Sequence, residues 1–168
     1  QILLPDGSYI PKLGQGTWRM GEDDDKYEKE IMGLRHGIRM GINMIDTAEM
    51  YADGKAENIA GNAIKIFDRE DVYLVSKVYP ENACRKHIYS SLERSLKLLG
   101  TDYLDLYLLH WRGEVQLTEV VYCMEDLKQK GQINRWGVSN FDVQDMEDLW
   151  KIPDGNRCCI NQILYNLG

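Results

Sequence analysis

The chain has 168 residues, 43% of them hydrophobic, and its formal net charge is −7 at pH 7. That length suffices for one domain with a well-buried core, which we predict over residues 1–168. The acidic balance excludes the basic footprint of a nucleic-acid-binding protein. No apolar run approaches the roughly 20 residues of a membrane helix, and no charged-then-apolar leader opens the sequence. We therefore expect a cytoplasmic protein without nucleic-acid or membrane partners.

The four cysteines point to the same compartment. Cys84, Cys123, Cys158 and Cys159 form no Cys-x-x-Cys pair, and the adjacent Cys158 and Cys159 are poor disulfide partners. Reduced thiols in a cytoplasm fit this pattern. The acidic run at 23–25 is typical of a solvated helix start, so we predict no metal site there or elsewhere.

A short β-hairpin opens the predicted elements, with Ile2–Leu4 and Tyr9–Ile10 flanking an Asp-Gly turn signal. Strands and helices then alternate. The predicted strands cover residues 12–16, 42–46, 72–77, 104–110, 133–139 and 158–162. A helix follows each of the first five strands, with apolar residues at helical spacing: Tyr27, Ile31, Leu34 and Ile38; Ala56, Ile59, Ala60, Ala63 and Phe67; Ile88, Leu92, Leu96 and Leu99; Val120, Met124 and Leu127; and Val143, Met146 and Leu149.

Strict alternation of strands and helices predicts an α/β fold with a parallel sheet. An open doubly wound sheet and a (β/α) barrel both fit the pattern. The barrel is favoured because reactive residues end successive strands, and the segment Gly14–Trp18 lacks the third glycine of a phosphate-binding turn. Eight barrel units need roughly 250 residues, so we expect about six of the eight units here. The open edge strands of such a chain are expected to favour self-association.

Three chemically capable residues end successive apolar strands. Asp46, Lys77 and His110 do so at intervals of 31 and 33 positions, and Tyr51 lies in the loop after Asp46. A strand-helix-strand unit has about this length, so parallel strands would carry all four side chains to one end of the sheet. An acid, an ammonium, an imidazole and a phenol would then share one pocket.

These residue types suit the reduction of a carbonyl group. Lys77 would lower the pKa of the Tyr51 phenol and make it a better proton donor, while Asp46 holds Lys77. His110 would hydrogen-bond the carbonyl oxygen. Protein side chains supply no hydride, so a nicotinamide cofactor is implied.

Other interpretations stay open at this point. Taken singly, Asp46 is a common helix N-cap, Lys77 a common solvated lysine and His110 a common structural histidine. The whole chain could be a non-catalytic cofactor-binding or regulatory protein on a reductase scaffold. A metal-dependent barrel hydrolase using Asp46 and His110 is a third possibility, which the charge of Lys77 opposes.

Five motifs together resemble the aldo-keto reductases, most nearly the bacterial branch that reduces methylglyoxal and similar aldehydes. They are Ile45–Tyr51, Ser76-Lys77, Leu109–Trp111, Gly137–Phe141 and Asn161-Gln162. The resemblance covers essentially the whole chain. It implies an eight-stranded (β/α) barrel and NADPH-dependent reduction of aldehydes or ketones, with Tyr51 as general acid. The seventh and eighth barrel units, which in this family carry the basic residues that bind the adenosine 2′-phosphate, would follow residue 168.

The same resemblance implies further site residues. Ser139, Asn140 and Gln162 match positions that hydrogen-bond the nicotinamide carboxamide, and Thr17 is expected to touch the cofactor. Two aromatic side chains, Trp18 and Trp111, match positions that line the substrate pocket. Full-length members of such a family are expected to be monomers that take small carbonyl substrates.

Overall fold

Two sheets organise the computed structural model, which describes residues 1–166. Strands β1 (Ile2–Leu3) and β2 (Tyr9–Ile10) form an antiparallel hairpin, as predicted. The second sheet has six strands, all parallel and paired in chain order. They are β3 (Gly14–Gly16), β4 (Met44–Asp46), β5 (Tyr73–Val78), β6 (Leu106–Leu109), β7 (Trp136–Ser139) and β8 (Asn161–Gln162).

A helix follows each of the strands β3 to β7, and this confirms the predicted alternation. The helices are α1 (Tyr27–Arg39), α2 (Lys55–Ile64), α3 (Ile88–Leu99), α4 (Leu117–Gln129) and α5 (Val143–Trp150). Short 3₁₀ turns occupy Asp24–Lys26, Tyr51–Gly54, Arg69–Asp71, Pro80–Asn82 and Gly155–Arg157. Within the described residues, no helix has the length and apolar character that crossing a bilayer requires.

The sheet separates two apolar clusters. The outer cluster packs the helices against one face of the sheet and includes Ile45, Leu74 and Tyr107. The inner cluster lies on the other face, where the hairpin residues Leu4 and Ile10 pack with Val75, Leu106 and Leu108. Alternate residues of each strand therefore point into different layers, as the two-residue period of a strand requires.

Helix ends and contacts follow local chemistry. The Asp142 carboxylate caps α5 by accepting from the backbone N–H of Asp145 at 2.8 Å. The Asp145 carboxylate in turn accepts from the backbone N–H of Asp142. A Cβ on Gly61 of α2 would lie 2.4 Å from the carbonyl oxygen of Leu98, so a glycine permits the close approach of α2 to α3.

Several predicted boundaries are wrong in detail. The last strand covers Asn161–Gln162 rather than 158–162, because a 3₁₀ turn ends at Arg157 and the N–H of Cys158 donates to the carbonyl oxygen of Gly155 in that turn. Val143 does not face the core: it begins α5 directly after the cap and is exposed. Phe67 lies beyond the end of α2, in a turn closed on the carbonyl of Ile64.

Candidate active site

Asp46, which is partly buried, and the buried Lys77 form an ion pair at the carboxyl ends of adjacent strands. The Lys77 ammonium donates to the Asp46 carboxylate and, at 2.9 Å, to the carbonyl oxygen of Thr47. The Lys77 side chain is only 3% exposed, so it is not a solvated lysine. Burial lowers the pKa of Lys77 and the Asp46 charge opposes that shift. The Asp46 carboxylate therefore stabilises the charged form of the ammonium.

Tyr51 stands beside this pair on an unusual piece of backbone. The three residues that follow it, Ala52, Asp53 and Gly54, have φ of 48°, 52° and 87°. Left-handed backbone is costly for residues with a Cβ, so it needs support from its surroundings. Arg94 of α3 supplies part of that support by donating to the carbonyl oxygen of Asp53 at 2.8 Å. The Lys77 Nζ atom lies 5.2 Å from the centroid of the Tyr51 ring.

The prediction that Lys77 lowers the pKa of Tyr51 is wrong in direction. Burial, followed by the negative charge of Asp46, raises the pKa of Tyr51 to about 12. The physical reason is that burial disfavours the charged phenolate and that the Asp46 carboxylate repels it. Tyr51 consequently holds its proton throughout the neutral pH range.

His110 directly follows β6 and completes the group. Burial, reinforced by the charge of Lys77, lowers the pKa of His110 to about 4. The imidazole is thus neutral near pH 7 and offers one N–H donor. Its ring centroid lies 5.6 Å from that of Tyr51, in an edge arrangement, and 4.9 Å from that of Trp111. The buried Nδ1 atom has no hydrogen-bond partner within residues 1–166.

Tyr51 and His110 open onto a cleft of about 340 Å³. Trp18 and Trp111, the two predicted substrate residues, both line it. Trp18 is 70% exposed, whereas Trp111 is partly buried against His110 and Tyr79. The remaining lining residues are Arg19, Glu22, Met50, Ala52 and Asn140. The cleft therefore combines an apolar wall with the phenol and imidazole.

A larger cleft, of about 1070 Å³, lies between α4 and residues 152–159. None of the four reactive residues lines it. Its charged groups are largely satisfied within the protein, since Arg135 pairs with Asp6 at 2.8 Å and Arg157 with Glu125 at 2.7 Å. The candidate site is therefore the smaller cleft, which Tyr51 and His110 line.

The predicted cofactor residues lie beside the Asp46–Lys77 pair. Gln162 donates to the Asp46 carboxylate at 2.5 Å, and Ser139 donates to the Gln162 carbonyl oxygen at 2.8 Å. Asn140 donates to the carbonyl oxygen of His110 at 3.1 Å and to Ser139 Oγ at 3.2 Å. A hydroxyl and two side-chain amides thus gather at one place, and together they offer both donors and acceptors.

Thr17, the fourth predicted cofactor residue, is completely buried. Its hydroxyl and its backbone N–H both donate to the carbonyl oxygen of Asp46, at 3.1 and 3.0 Å. The contact fixes the end of β4 and so helps to orient the Asp46 side chain.

Two buried glutamates escaped the sequence analysis. Glu57 of α2 accepts a hydrogen bond from Ser76 Oγ at 2.6 Å, and burial raises its pKa. Glu49 accepts from the backbone N–H of Tyr79 at 2.6 Å. Glu57 shares a helical face with Ala60, Gly61 and Ile64, and this spacing was the available signal. No local pattern marks Glu49.

No group of His, Cys, Asp and Glu side chains within residues 1–166 is arranged to hold a metal ion. The four cysteines are free thiols. Beside Asp46, the position that a cation would take is filled by the Lys77 ammonium. The donor set near His110 therefore differs from that of a metal-dependent hydrolase.

Comparisons with known proteins agree with one another. The sequence model described as "Aldo/keto reductase family" matches residues 12–168. The methylglyoxal reductase YeaE of Escherichia coli (strain K12) is 54% identical over 159 residues, which make up 95% of this chain and 56% of that protein. The chain spans about half the length of the curated relatives it matches.

Solved structures show the same architecture. An aldo/keto reductase from Klebsiella pneumoniae in complex with NADP and acetate superposes with a TM-score of 0.94 at 49% identity, covering 98% of this chain and 58% of that one. A Klebsiella pneumoniae aldo-keto reductase in complex with NADPH gives a TM-score of 0.93 at 49% identity, covering 98% and 57%.

Proposed function

Because this chain belongs to the aldo/keto reductase family, we propose that the protein reduces small aldehydes and ketones to alcohols with NADPH. The observation that carries the proposal is the meeting of Asp46, Tyr51, Lys77 and His110 beside one cleft. Methylglyoxal and related small carbonyl compounds are the proposed substrates, since a relative at 54% identity is a methylglyoxal reductase.

Tyr51 is the proposed general acid. With its pKa raised to about 12, the phenol keeps its proton until the carbonyl oxygen gains negative charge and becomes the stronger base. Transfer of the proton leaves a phenolate, which the Lys77 ammonium near the ring stabilises. The tyrosine is then regenerated by a proton from solvent.

His110 is proposed to orient the substrate. As a neutral imidazole it can donate one hydrogen bond to the carbonyl oxygen without competing for the proton. The aromatic side chains Trp18 and Trp111 would hold the apolar part of the substrate. Together these contacts would place the carbonyl between the phenol and the cofactor.

Ser139, Asn140 and Gln162 are the proposed ligands of the nicotinamide carboxamide. Their hydroxyl and amide groups supply the donors and acceptors that a carboxamide needs, and they lie next to Asp46 and His110. NADPH, when bound, supplies the hydride that side chains cannot provide.

The deciding experiment compares the full-length protein with its Tyr51→Phe variant. We expect NADPH consumption with methylglyoxal, and a fall in kcat of roughly 10²- to 10⁴-fold in the variant. NADPH affinity, measured by fluorescence titration, should be unchanged, because Tyr51 is not a proposed cofactor ligand. Cofactor binding without turnover in the parent protein would support the non-catalytic alternative, and full activity of the variant would remove the acid role.

A further inference from the structure

Glu49 joins two loops at the rim of the candidate site. Its side chain is buried, and its Oε1 atom accepts from the backbone N–H of Tyr79 at 2.6 Å and from Asn82 Nδ2 at 3.1 Å. Burying a carboxylate is unfavourable unless hydrogen bonds compensate, and bonds to an ionised acceptor are strong. The contact is therefore a specific tie between the loop after β4 and the loop after β5.

The backbone of Glu49 is fixed on the same side. Its N–H donates to the carbonyl oxygen of Lys77 at 3.2 Å, and the N–H of Thr47 donates to Val75 at 2.9 Å. These bonds continue the pairing of β4 with β5 beyond the end of the sheet. Tyr51 follows two residues later, so the position of Glu49 limits where the phenol can lie.

A chain of aromatic contacts leads from Tyr79 back to Tyr51. The ring centroids of Tyr79 and Trp111 are 5.1 Å apart, those of Trp111 and His110 4.9 Å, and those of His110 and Tyr51 5.6 Å. Glu49 lies near both ends of this chain: its carboxylate accepts from the N–H of Tyr79, and Tyr51 follows it by two residues, with the Tyr51 N–H donating to Ala48. Trp111 in the wall of the cleft is thus linked to Tyr51 in two ways, through the aromatic rings and through Glu49.

We propose that Glu49 is a positioning residue for the carbonyl pocket. Glu49 holds the Tyr79–Trp111 wall at a fixed distance from Tyr51 and His110. The proposal rests on the proposed reductase function. Loss of this positioning should lower the reaction rate, because a misplacement of about 1 Å in a reacting group can cost on the order of a hundredfold in rate.

Two substitutions of Glu49 separate positioning from charge. In Glu49→Ala the Tyr79 N–H and Asn82 lose their acceptor, so we expect kcat/KM for methylglyoxal to fall roughly ten- to a hundredfold, with KM for the carbonyl rising. Glu49→Gln keeps an oxygen acceptor at the same place, and we expect it to restore kcat/KM to within about threefold of the parent.

Asp105 offers a matched control at the other end of β5. Its carboxylate accepts from the backbone N–H of Leu74 at 2.9 Å and from Arg69 at 2.8 Å, far along the strand from the cleft. Asp105→Ala removes a comparable tie between a carboxylate and the strand. We expect it to lower the melting temperature while leaving kcat/KM of the folded protein within about twofold.

Hydrogen exchange supplies a readout that does not depend on activity. In Glu49→Ala the amides of Tyr79 and of residues 110–112 should both exchange faster, and Glu49→Gln should protect them again. Faster exchange at Tyr79 alone would overturn the proposal, as would unchanged kcat/KM in Glu49→Ala or an equal loss in Asp105→Ala. If the parent protein has no reductase activity, the function fails, and exchange at 110–112 still decides whether Glu49 holds the wall.

Discussion

The two ends of the parallel sheet bury different kinds of residue. At the carboxyl end lie Lys77, Glu49 and His110, whose burial opposes folding unless each group finds a partner or loses its charge. Toward the amino end the hairpin residues Leu4 and Ile10 cover an apolar layer. On the proposed function the first end serves chemistry and the second stability, so substitutions at the two ends should have separable effects.

Removal of Lys77 should give the largest effect. In Lys77→Met the Asp46 carboxylate loses its buried counter-charge, so we expect a loss of about 3 kcal/mol in the free energy of unfolding and loss of detectable turnover. Urea unfolding and NADPH consumption measure the two effects. The double variant with Asp46→Asn should regain stability but no activity. Recovery of both would contradict the division between the two ends.

Truncation of Leu106 should affect stability alone. This buried residue belongs to the inner cluster, and Leu106→Ala should lower the free energy of unfolding by about 2–5 kcal/mol through lost burial and a residual cavity. At a temperature where the variant is folded, its kcat/KM should match that of the parent. A tenfold loss of kcat/KM would show that packing of the inner cluster reaches the reactive residues.

The imidazole of His110 should titrate near pH 4, as NMR can measure. Because its pKa is lowered from 6.5 by burial and by Lys77, the unfolded chain binds more protons than the folded one between these values. Stability should accordingly fall as the pH decreases from about 6.5 to about 4. His110→Gln should flatten that part of the pH dependence. A midpoint near 6.5 in the folded protein would contradict the burial argument.

The smallest effect on stability is expected for the exposed ion pair between Asp6 of the hairpin turn and Arg135, which directly precedes β7. Bonds from Ser8, followed by that from Arg135, lower the pKa of Asp6 to about 2. The ionised form thus adds stability above about pH 3.8, and that stability is lost as the pH falls toward 2. Since Asp6 is well solvated, Asp6→Asn should cost less than about 1 kcal/mol at pH 7 in urea unfolding. Activity should be unaffected.

The order and type of the elements could be predicted because each carries a periodic signal. Continuous apolar runs marked β5 and β6, and helical spacing marked all five helices. The grouping of Asp46, Lys77 and His110 followed from one fact, that parallel strands end at the same edge. Tyr51 was placed correctly near them by its distance from Asp46 along the chain.

The remaining errors depend on contacts between distant segments. The direction of the Tyr51 pKa shift depends on how deeply the phenol is buried and how near it lies to Asp46, and sequence spacing gives neither quantity. The left-handed backbone at 52–54 is supported in part by Arg94, which lies some forty positions away. Val143 fits the apolar spacing of α5, yet its position just after the cap turns it toward solvent.

Strand β5 carries one further consequence, for how the family can change in evolution. Val75 and Lys77 face the inner layer, whereas Ser76 contacts Glu57 of α2 on the outer side. Insertion or deletion of one residue within Tyr73–Val78 would exchange the two faces, moving the ammonium into the helix layer. Length variation among relatives should therefore be absent inside this strand and collect in the loops beyond it, a pattern that an alignment of relatives can test.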